Sequence, residues 1–398
     1  MDMMPSDSAE VTVALGEDYG DLRDAVRRIC EDYPTAYWRK LEETSSYPSE
    51  FVDALTEGGF LGALIPEEYG GSGLPLRAAA VILEEINASG CTASPAHAQM
   101  YIMGTLLRHG SEEQKRRYLP KIASGELRLQ AFGVTEPTTG SDTTQLKTRA
   151  EKKGNDKYVV NGQKVWTSRA LYSDLMLLLA RTTPASECKK RTDGLSVFLV
   201  DLREAKGNGC EIKPIDALIN HNTTEVFFDN MEVPAENLIG EEGQGFRYIL
   251  DGMNAERILV AQECIGDGRW LLRKGVDYAN DRTVFGRAIG QNQGVQFPLA
   301  RAYASLEAAE MMARRAAALF QANQPCGADA NMAKLLASEA TWQAAEAALM
   351  VHGGFGFAKE YDVERKWREA RLYQTAPISS NMILAFLSTK VLGLPRSY

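Results

Sequence analysis

Residues 131–142 read AFGVTEPTTGSD, and residues 161–168 read NGQKVWTS. A Thr-Glu-Pro turn leads into two threonines, a glycine and Ser-Asp. The second stretch is an Asn-Gly turn followed by Lys-x-Trp and two hydroxyls. Thr135, Ser141, Thr167 and Ser168 gather hydroxyls near turn backbone, and Trp166 adds a flat aromatic face. This set suits a planar, hydrogen-bonding heterocycle that carries phosphates. A flavin fits better than a bare nucleotide, because its edge needs donors and its face needs an aromatic or apolar neighbour. The plain alternative is a pair of hairpin turns with surface threonines, and composition alone favours it.

Outward from these motifs the pattern changes twice. Before them, from about Asp18 to Ser124, LRDAVRRICEDY, EFVDALTEGGF and LRAAAVILEEINASG carry apolar residues at three- and four-residue spacing, which predicts helices. A Pro- and Gly-rich turn, IPEEYGGSGL, punctuates them. From about Leu127, LQAFGV, KYVVNG, DLMLLLAR, LSVFLVDL and TTEVFFDNMEV are short, β-branched or aromatic, and separated by turn residues. With no helical pattern between them, they predict a locally connected antiparallel sheet. From about Gly243, long amphipathic stretches return: residues 246–282, an alanine-rich run at 298–322, and another at 331–351. They predict a helical bundle. The expected fold class is α+β and multidomain. An all-α N-terminal domain (1–126) and an antiparallel β middle domain (127–242) precede a C-terminal four-helix-bundle domain (243–398).

Composition narrows the functions. A net charge of −9 argues against a nucleic-acid surface. No apolar run is long enough to span a bilayer, and MDMMPSDSAE lacks the marks of a secretory signal. Six scattered cysteines without a C-x-x-C fit reduced thiols and a cytoplasmic setting, and argue against zinc or a disulfide framework. Four widely spaced histidines make a histidine metal site unexpected, so no metal is expected.

Five strings, IPEEYGGSG (65–73), VTEPTTGSD (134–142), NGQKVW (161–166), DRTVFGRAIGQNQ (281–293) and GGFGF (353–357), fall in an order and spacing that resembles the acyl-CoA dehydrogenase family. The resemblance covers nearly the whole chain. It implies the three-domain fold above, bound FAD and a homotetramer. The implied activity is oxidation of an acyl-CoA thioester at Cα–Cβ, with an electron-transfer flavoprotein as acceptor. By resemblance, Phe132, Val134, Thr135 and Ser141 lie along the flavin, Ser141 also near the CoA portion. Trp166 and Ser168 face the ring, with Ser168 near its reactive nitrogen. Arg282, Phe285 and Gln293 match a segment that reaches a neighbouring subunit's FAD, where a guanidinium fork suits pyrophosphate. Gly354, Ser379 and Asn381 match further FAD contacts. Val284 and Met350 stand where polar FAD contacts are frequent in the family, and Asn381 where a glutamine is typical.

The base position departs from the commonest pattern. Many relatives carry a glutamate in a Tyr-Glu-Gly-Thr segment after GGxGF; counting from Gly353, that position is Pro377. A subset, including isovaleryl-CoA and long-chain enzymes, places it in a Leu-Glu-Arg-like string. Here that string is Asn254-Ala255-Glu256-Arg257. Ile249, Met253, Glu256 and Val260 share one helical face, so Glu256 interrupts an apolar stripe. A carboxylate there is desolvated, which raises its pKa toward what a general base needs. The alternative is a Glu256–arginine ion pair inside the bundle. Asn254, Arg257, Pro377 and Ile378 are implied on the substrate side. Proline lacks the N–H that polarises the thioester carbonyl in relatives, a loss on the order of 3 kcal/mol unless Ile378 or another donor substitutes. Two other readings therefore stay open: a flavin oxidase or monooxygenase on a non-thioester substrate, and a non-catalytic acyl-CoA or flavin binder. His352 is expected to pack in a helix-ending turn and Cys264 in the core. QMYIM (99–103) lies by resemblance on a helix lining the acyl pocket, with plain core packing the alternative.

Overall fold

The computed structural model describes residues 16–396. The segment read for a secretory signal lies outside them. Six helices come first: α1 (Gly20–Glu31), α2 (Thr35–Thr44), α3 (Ser49–Glu57), α4 (Leu76–Ala88), α5 (Ser94–His109) and α6 (Glu112–Ser124). The start of α6 is set by a capping box. Ser111 Oγ accepts from the Gln114 N–H at 3.1 Å, and the Gln114 side chain accepts from the Ser111 N–H at 3.0 Å. Its end is set by Gly125 at φ +80°, a conformation that glycine reaches without a Cβ penalty.

The sheet follows: β1 (Leu129–Gly133), β2 (Arg149–Lys153), β3 (Lys157–Ser168), β4 (Leu175–Arg181), β5 (Leu195–Asp201), a short helix α7 (Leu202–Ala205), β6 (Cys210–Pro214), β7 (Thr223–Pro234) and β8 (Leu238–Ile239). The order across it is β6-β7-β3-β2-β4-β5-β8, with β1 also on β4. β4 and β5 are apolar except for Arg181, Ser196 and Asp201, because both faces are covered. Leu175, Leu177, Leu179, Leu195, Val197 and Leu199 meet Ile102, Leu106, Leu119 and Ile122 of the helical domain. Met176, Leu178, Ala180, Phe198 and Val200 meet Tyr158, Val160, Val226 and Phe228.

The expected antiparallel sheet needs one correction. β2–β3, β3–β7, β4–β5, β5–β8 and β6–β7 are antiparallel. However, β1 runs parallel to β4, and β2 meets β4 in parallel at Arg149 and Arg181. The sheet is mixed. The β2–β3 hairpin intervenes between β1 and β4, so the chain re-enters beside β1 in the same direction. β2 (RAEKK) and β6 (CEIKP) were not read as strands, since neither shows apolar alternation.

The C-terminal part holds α8 (Gly245–Asp281), a small hairpin of β9 (Thr283–Val284) and β10 (Arg287–Ala288), then α9 (Gln293–Gln321), α10 (Gly327–His352), α11 (Val363–Tyr373) and α12 (Ser380–Phe386). With 37 residues, α8 is about 55 Å long. It packs against α10, α9, α4 and α5. Its burial comes from alanine-rich neighbours: Ala309, Ala313, Ala316, Ala337, Ala340, Ala344 and Ala348 let the backbones approach closely. Among the described residues no helix is long and apolar enough to cross a membrane.

Candidate active site

The TEP turn is fastened to β3 by a buried ion pair. Lys164 Nζ lies 2.8 Å from Glu136 Oε1 and donates to the Val134 carbonyl at 3.0 Å. Glu136 also accepts from the N–H groups of Lys147 (2.6 Å) and Thr148 (2.9 Å). Burial alone pushes the Glu136 carboxyl up, but Lys164 and these donors outweigh it and hold its pKa below the ordinary value. The same burial brings the Lys164 ammonium down to about 8. Sequence reading missed this pair, although a signal existed. Period two from Tyr158 and Val160 points Lys164 inward, and a buried lysine needs an acid. Glu136→Gln is expected to cost about 2–3 kcal/mol, because it weakens charge-assisted bonds to three donors. A drop in apparent melting temperature at pH 7 checks this. Because the folded pKa of Glu136 is depressed, the contribution is present above the unfolded carboxylate pKa and fades as pH falls through the folded one.

Beside this clamp, Phe132, Val134, Thr135 and Ser168 are half-buried, and the Val165 N–H donates to the Thr135 carbonyl at 2.9 Å. Ser168 Oγ lies 3.3 Å from Thr223 Oγ1. The Trp166 ring is 60% exposed, on backbone at φ +60°. Ser141 is exposed on the turn. Thr167 does not join the hydroxyl set; the β3–β7 register shifts between Lys164 and Thr167, with Trp166 at φ +60°, and this irregularity turns Thr167 inward, where it is buried. A cleft of about 520 Å³ opens between α2, the β6–β7 connection and α11, with Thr223 and Tyr172 on its wall. Glu256 does not line it.

The other expected cofactor contacts form a separate exposed group on the helical part. Arg282 ends α8, Phe285 stands at φ +53° and fully exposed on the β9–β10 turn, and Gln293 begins α9. Gly354 follows α10, near exposed Met350 and Phe357. Ser379 caps α12, its Oγ accepting from the Met382 N–H at 3.3 Å, and Asn381 is exposed.

Glu256 is 3% exposed on α8, with Ile249 and Val260 buried on the same face. Its Oε2 has no hydrogen-bond partner, and among the described residues it makes no ion pair. Arg257, half-buried, donates to Asn254 Oδ1 at 3.2 Å instead. The Glu256–arginine alternative is therefore not what this helix holds. Burial pushes the Glu256 carboxyl up to about 7, while the charges of His97, Arg257 and Lys334 pull the other way. His352 stacks on Tyr278 at 4.2 Å with Nδ1 2.8 Å from the Ala348 carbonyl, as a packed residue does. Cys264 is buried in the core.

The Tyr373–Ile378 turn comes next to this carboxylate through Lys334. Lys334 Nζ, buried on α10, donates to the carbonyls of Tyr373 and, at 2.6 Å, of Ile378. Its charge also acts on Glu256. Pro377 is exposed on this turn, and the Ile378 N–H has no partner among the described residues. Lys334 was not foreseen, since nothing in its local sequence separates it from a surface lysine.

The chain thus runs α, β, α, with Glu256 buried on its longest helix and without an ion-pair partner among the described residues. Residues 16–126, 131–231 and 243–386 match the profiles for the N-terminal, middle and C-terminal domains of acyl-CoA dehydrogenase. The acyl-CoA dehydrogenase FadE12 of Mycobacterium tuberculosis is 35% identical over 96% of this chain and 98% of its own. A solved glutaryl-coenzyme A dehydrogenase bound to glutaryl-CoA is similar at TM-score 0.88 and 32% identity, covering 97% of this chain and 98% of that one. The butyryl-CoA dehydrogenase of Megasphaera elsdenii is similar at TM-score 0.88 and 27% identity, covering 96% and 100%. The chain belongs to the acyl-CoA dehydrogenase family, oxidoreductases acting on CH–CH donors, whose members bind FAD. The residues present suit that cofactor: an aromatic face left open at Trp166, hydroxyls at Thr135 and Ser168, and an exposed guanidinium at Arg282.

Proposed function

We propose that this chain dehydrogenates an acyl-CoA thioester to the 2-enoyl-CoA, with Glu256 as the base and an electron-transfer flavoprotein as acceptor. The observation that carries the reading is the Glu256 carboxylate, buried without a partner at the family's alternative base position. Bound FAD supplies the hydride acceptor. Glu256 takes the α-proton; its raised pKa matches the task, because a base with a pKa near the working pH has both the right charge and enough driving force. The Ile378 N–H stands in for the donor lost at Pro377 and polarises the thioester carbonyl. Lys334 fixes the carbonyl of that same residue, and so its orientation. Asn254, Arg257 and Ser141 serve the substrate side. Phe132, Val134, Thr135, Trp166 and Ser168 hold the flavin from one subunit; Arg282, Phe285 and Gln293 complete it from another.

Anaerobic mixing with a panel of acyl-CoA thioesters tests this. Flavin bleaching with formation of enoyl-CoA is the expected result. Pro377 favours one second reading, a flavin oxidase. Turnover that consumes oxygen stoichiometrically, with no acyl-CoA bleaching the flavin, would establish it instead.

The assembly has its own test. Phe285 is fully exposed, Met350 is 76% and Phe357 73% exposed, and Phe285 lies in the segment whose resemblance points to a neighbouring subunit. We infer a homotetramer in which these residues are covered. Burying one phenylalanine contributes about 2 kcal/mol, repeated at each copy. Phe285→Asp is expected to shift light scattering from tetramer to smaller species and to release FAD on gel filtration. An unchanged tetramer that keeps its FAD would remove Phe285 from the interface.

A further inference from the structure

Among the described residues three lysines are fully buried: Lys164, Lys334 and Lys366. Two of them sit on carboxylates, Lys164 at 2.8 Å from Glu136 and Lys366 at 2.6 Å from Asp267. Lys334 of α10 instead donates to carbonyls, those of Tyr373, the last residue of α11, and of Ile378. The Tyr373 carbonyl is one of the helix-end acceptors that no later N–H of the helix reaches, and a cation suits that end of the helix dipole. Capping of this kind needs no burial, since a surface lysine caps as well. A buried ammonium without a contacting carboxylate is costly, which points to a second use of its charge.

The register of α10 against α8 shows where that charge acts. Asn254 lies beside Gly327 at the start of α10, Thr341 donates to the Cys264 carbonyl, and Gly275 packs on Ala348. The contacts ascend together, so the two helices run parallel. Two turns back from the Cys264–Thr341 contact along both helices stand Arg257 and Lys334. The ammonium is thus level with the turn of α8 that carries Glu256. The charged and titratable groups facing Lys334 are Glu256, Arg257 and Cys264 from α8 and Tyr373 from α11. Burial keeps the Cys264 thiol and the Tyr373 phenol protonated, and Arg257 has the same sign as Lys334. Glu256 is therefore the acid of this set that Lys334 favours in its ionised form. Glu256 in turn faces Lys334, Arg257 and Glu263 of its own helix, and His97 and Tyr101 of α5.

We propose that Lys334 is a positioning residue for proton abstraction: one buried ammonium holds the turn that bears the Ile378 N–H and keeps the neighbouring Glu256 ionised, so that the carbonyl-polarising donor and the base are set together. The proposal rests on the dehydrogenase reading above and makes that reaction depend on a residue acting through its neighbours. Two ionisations then bound the working pH. Glu256 must lose its proton, at about 7, and Lys334 must keep its own, which burial brings down to about 8. As the pH rises through the second value, the bonds to both carbonyls lose their charge assistance and Glu256 loses a neighbouring cation.

The test uses holoenzyme and whichever acyl-CoA thioester of the panel bleaches the flavin fastest. The limiting rate of flavin reduction and the thioester Kd are measured from pH 6 to pH 10 in the parent, Lys334→Gln and Lys334→Met. The parent rate is expected to rise through about 7 and fall through about 8. Both variants are expected to reduce their flavin at least about tenfold more slowly at pH 7.5, a fraction of what a lost oxyanion donor costs. Kd should change less than about threefold, since binding common to ground and transition states is untouched. The falling limb should vanish and the rising midpoint should move up, because Glu256 has lost a cation. A purely structural Lys334 predicts a lower melting temperature or lost FAD, with both limbs in the parent's places for the holoenzyme that remains. That result, or a variant with the parent's limiting rate, overturns the proposal and leaves the dehydrogenase reading intact. Should neither variant fold, the parent decides: a rate still level at pH 10 overturns the proposal, and a fall through about 8 upholds it. No bleaching by any thioester sinks both.

Discussion

Glu256→Gln is expected to keep its fold, FAD and acyl-CoA affinity while slowing flavin reduction at least about a hundredfold, the low end of what a general base contributes. The amide has nearly the shape of the acid, and no ion pair is broken, because Glu256 has none among the described residues. What disappears is the ability to accept the α-proton. In the parent enzyme the reduction rate should climb with pH through about 7, where the carboxyl ionises. The variant should lose that limb.

Stability gives an independent reading of the same side chain. The folded pKa of Glu256 is raised from 4.5 to about 7 by burial. A raised acid holds its proton longer in the folded state, so its contribution to stability is fully present below the unfolded value and is lost as pH rises to the folded one. At pH 8 the parent thus carries a desolvated charge costing up to about 3 kcal/mol. The variant should melt higher than the parent at pH 8 and show little difference at pH 4.5. An ion-paired glutamate predicts the reverse, a variant that melts lower and stays active. Parent-rate flavin reduction in Glu256→Gln would move the base elsewhere.

Much of this was legible in sequence because Glu256 obeys a simple rule: it breaks a stripe of period 3.6 whose other members are apolar. The same rule reaches Glu263, seven residues on, yet alone it says nothing about His97 of α5, whose Nδ1 lies 3.1 Å from Glu263 Oε2. β4 and β5 were visible as apolar runs, since burial on both faces leaves few polar positions. β2 and β6 were not, because only one residue of five is buried in each and the rest, apart from half-buried Ile212, are charged or exposed. Their strand character comes from partners, β3 and β7, rather than from their own side chains. The parallel course of β1 against β4 was hidden for a related reason. Alternation fixes which face a residue takes, not which neighbour a strand meets after a hairpin is inserted.

The largest stability effect is expected at Lys366, a residue whose local sequence resembles any helix surface. Its Nζ is fully buried, 2.6 Å from Asp267 Oδ1, 3.0 Å from Glu369 Oε2 and 2.6 Å from the Cys91 carbonyl. Tyr373 donates to Asp267 Oδ2 at 2.9 Å, and Asn87 donates to the Tyr373 hydroxyl at 3.1 Å and to the Glu263 carbonyl at 3.1 Å. Arg365 and His221 add positive charge beside Glu369. One ammonium thus joins α8, which carries Glu256, α11, which leads into the Lys334-held turn, and the turn before α5. Burial raises Asp267, whereas for Glu369 the Lys366 charge outweighs burial and lowers it. Lys366→Met leaves both carboxyls buried without their cation, a loss of about 3–5 kcal/mol near neutral pH. The sign with pH follows. Without Lys366 the Asp267 carboxyl, already raised by burial, loses the charge that holds it down, so the stability is retained below the unfolded carboxylate range and lost as pH rises through the raised value. Apparent melting temperatures should therefore separate parent and variant widely at pH 8 and much less at pH 5. A gap that is constant across that range would mean that packing, not charge, is what Lys366 provides. Because Tyr373 begins the turn that Lys334 grips, the variant's surviving folded fraction should also reduce its flavin more slowly, with the midpoint of the Glu256 limb displaced.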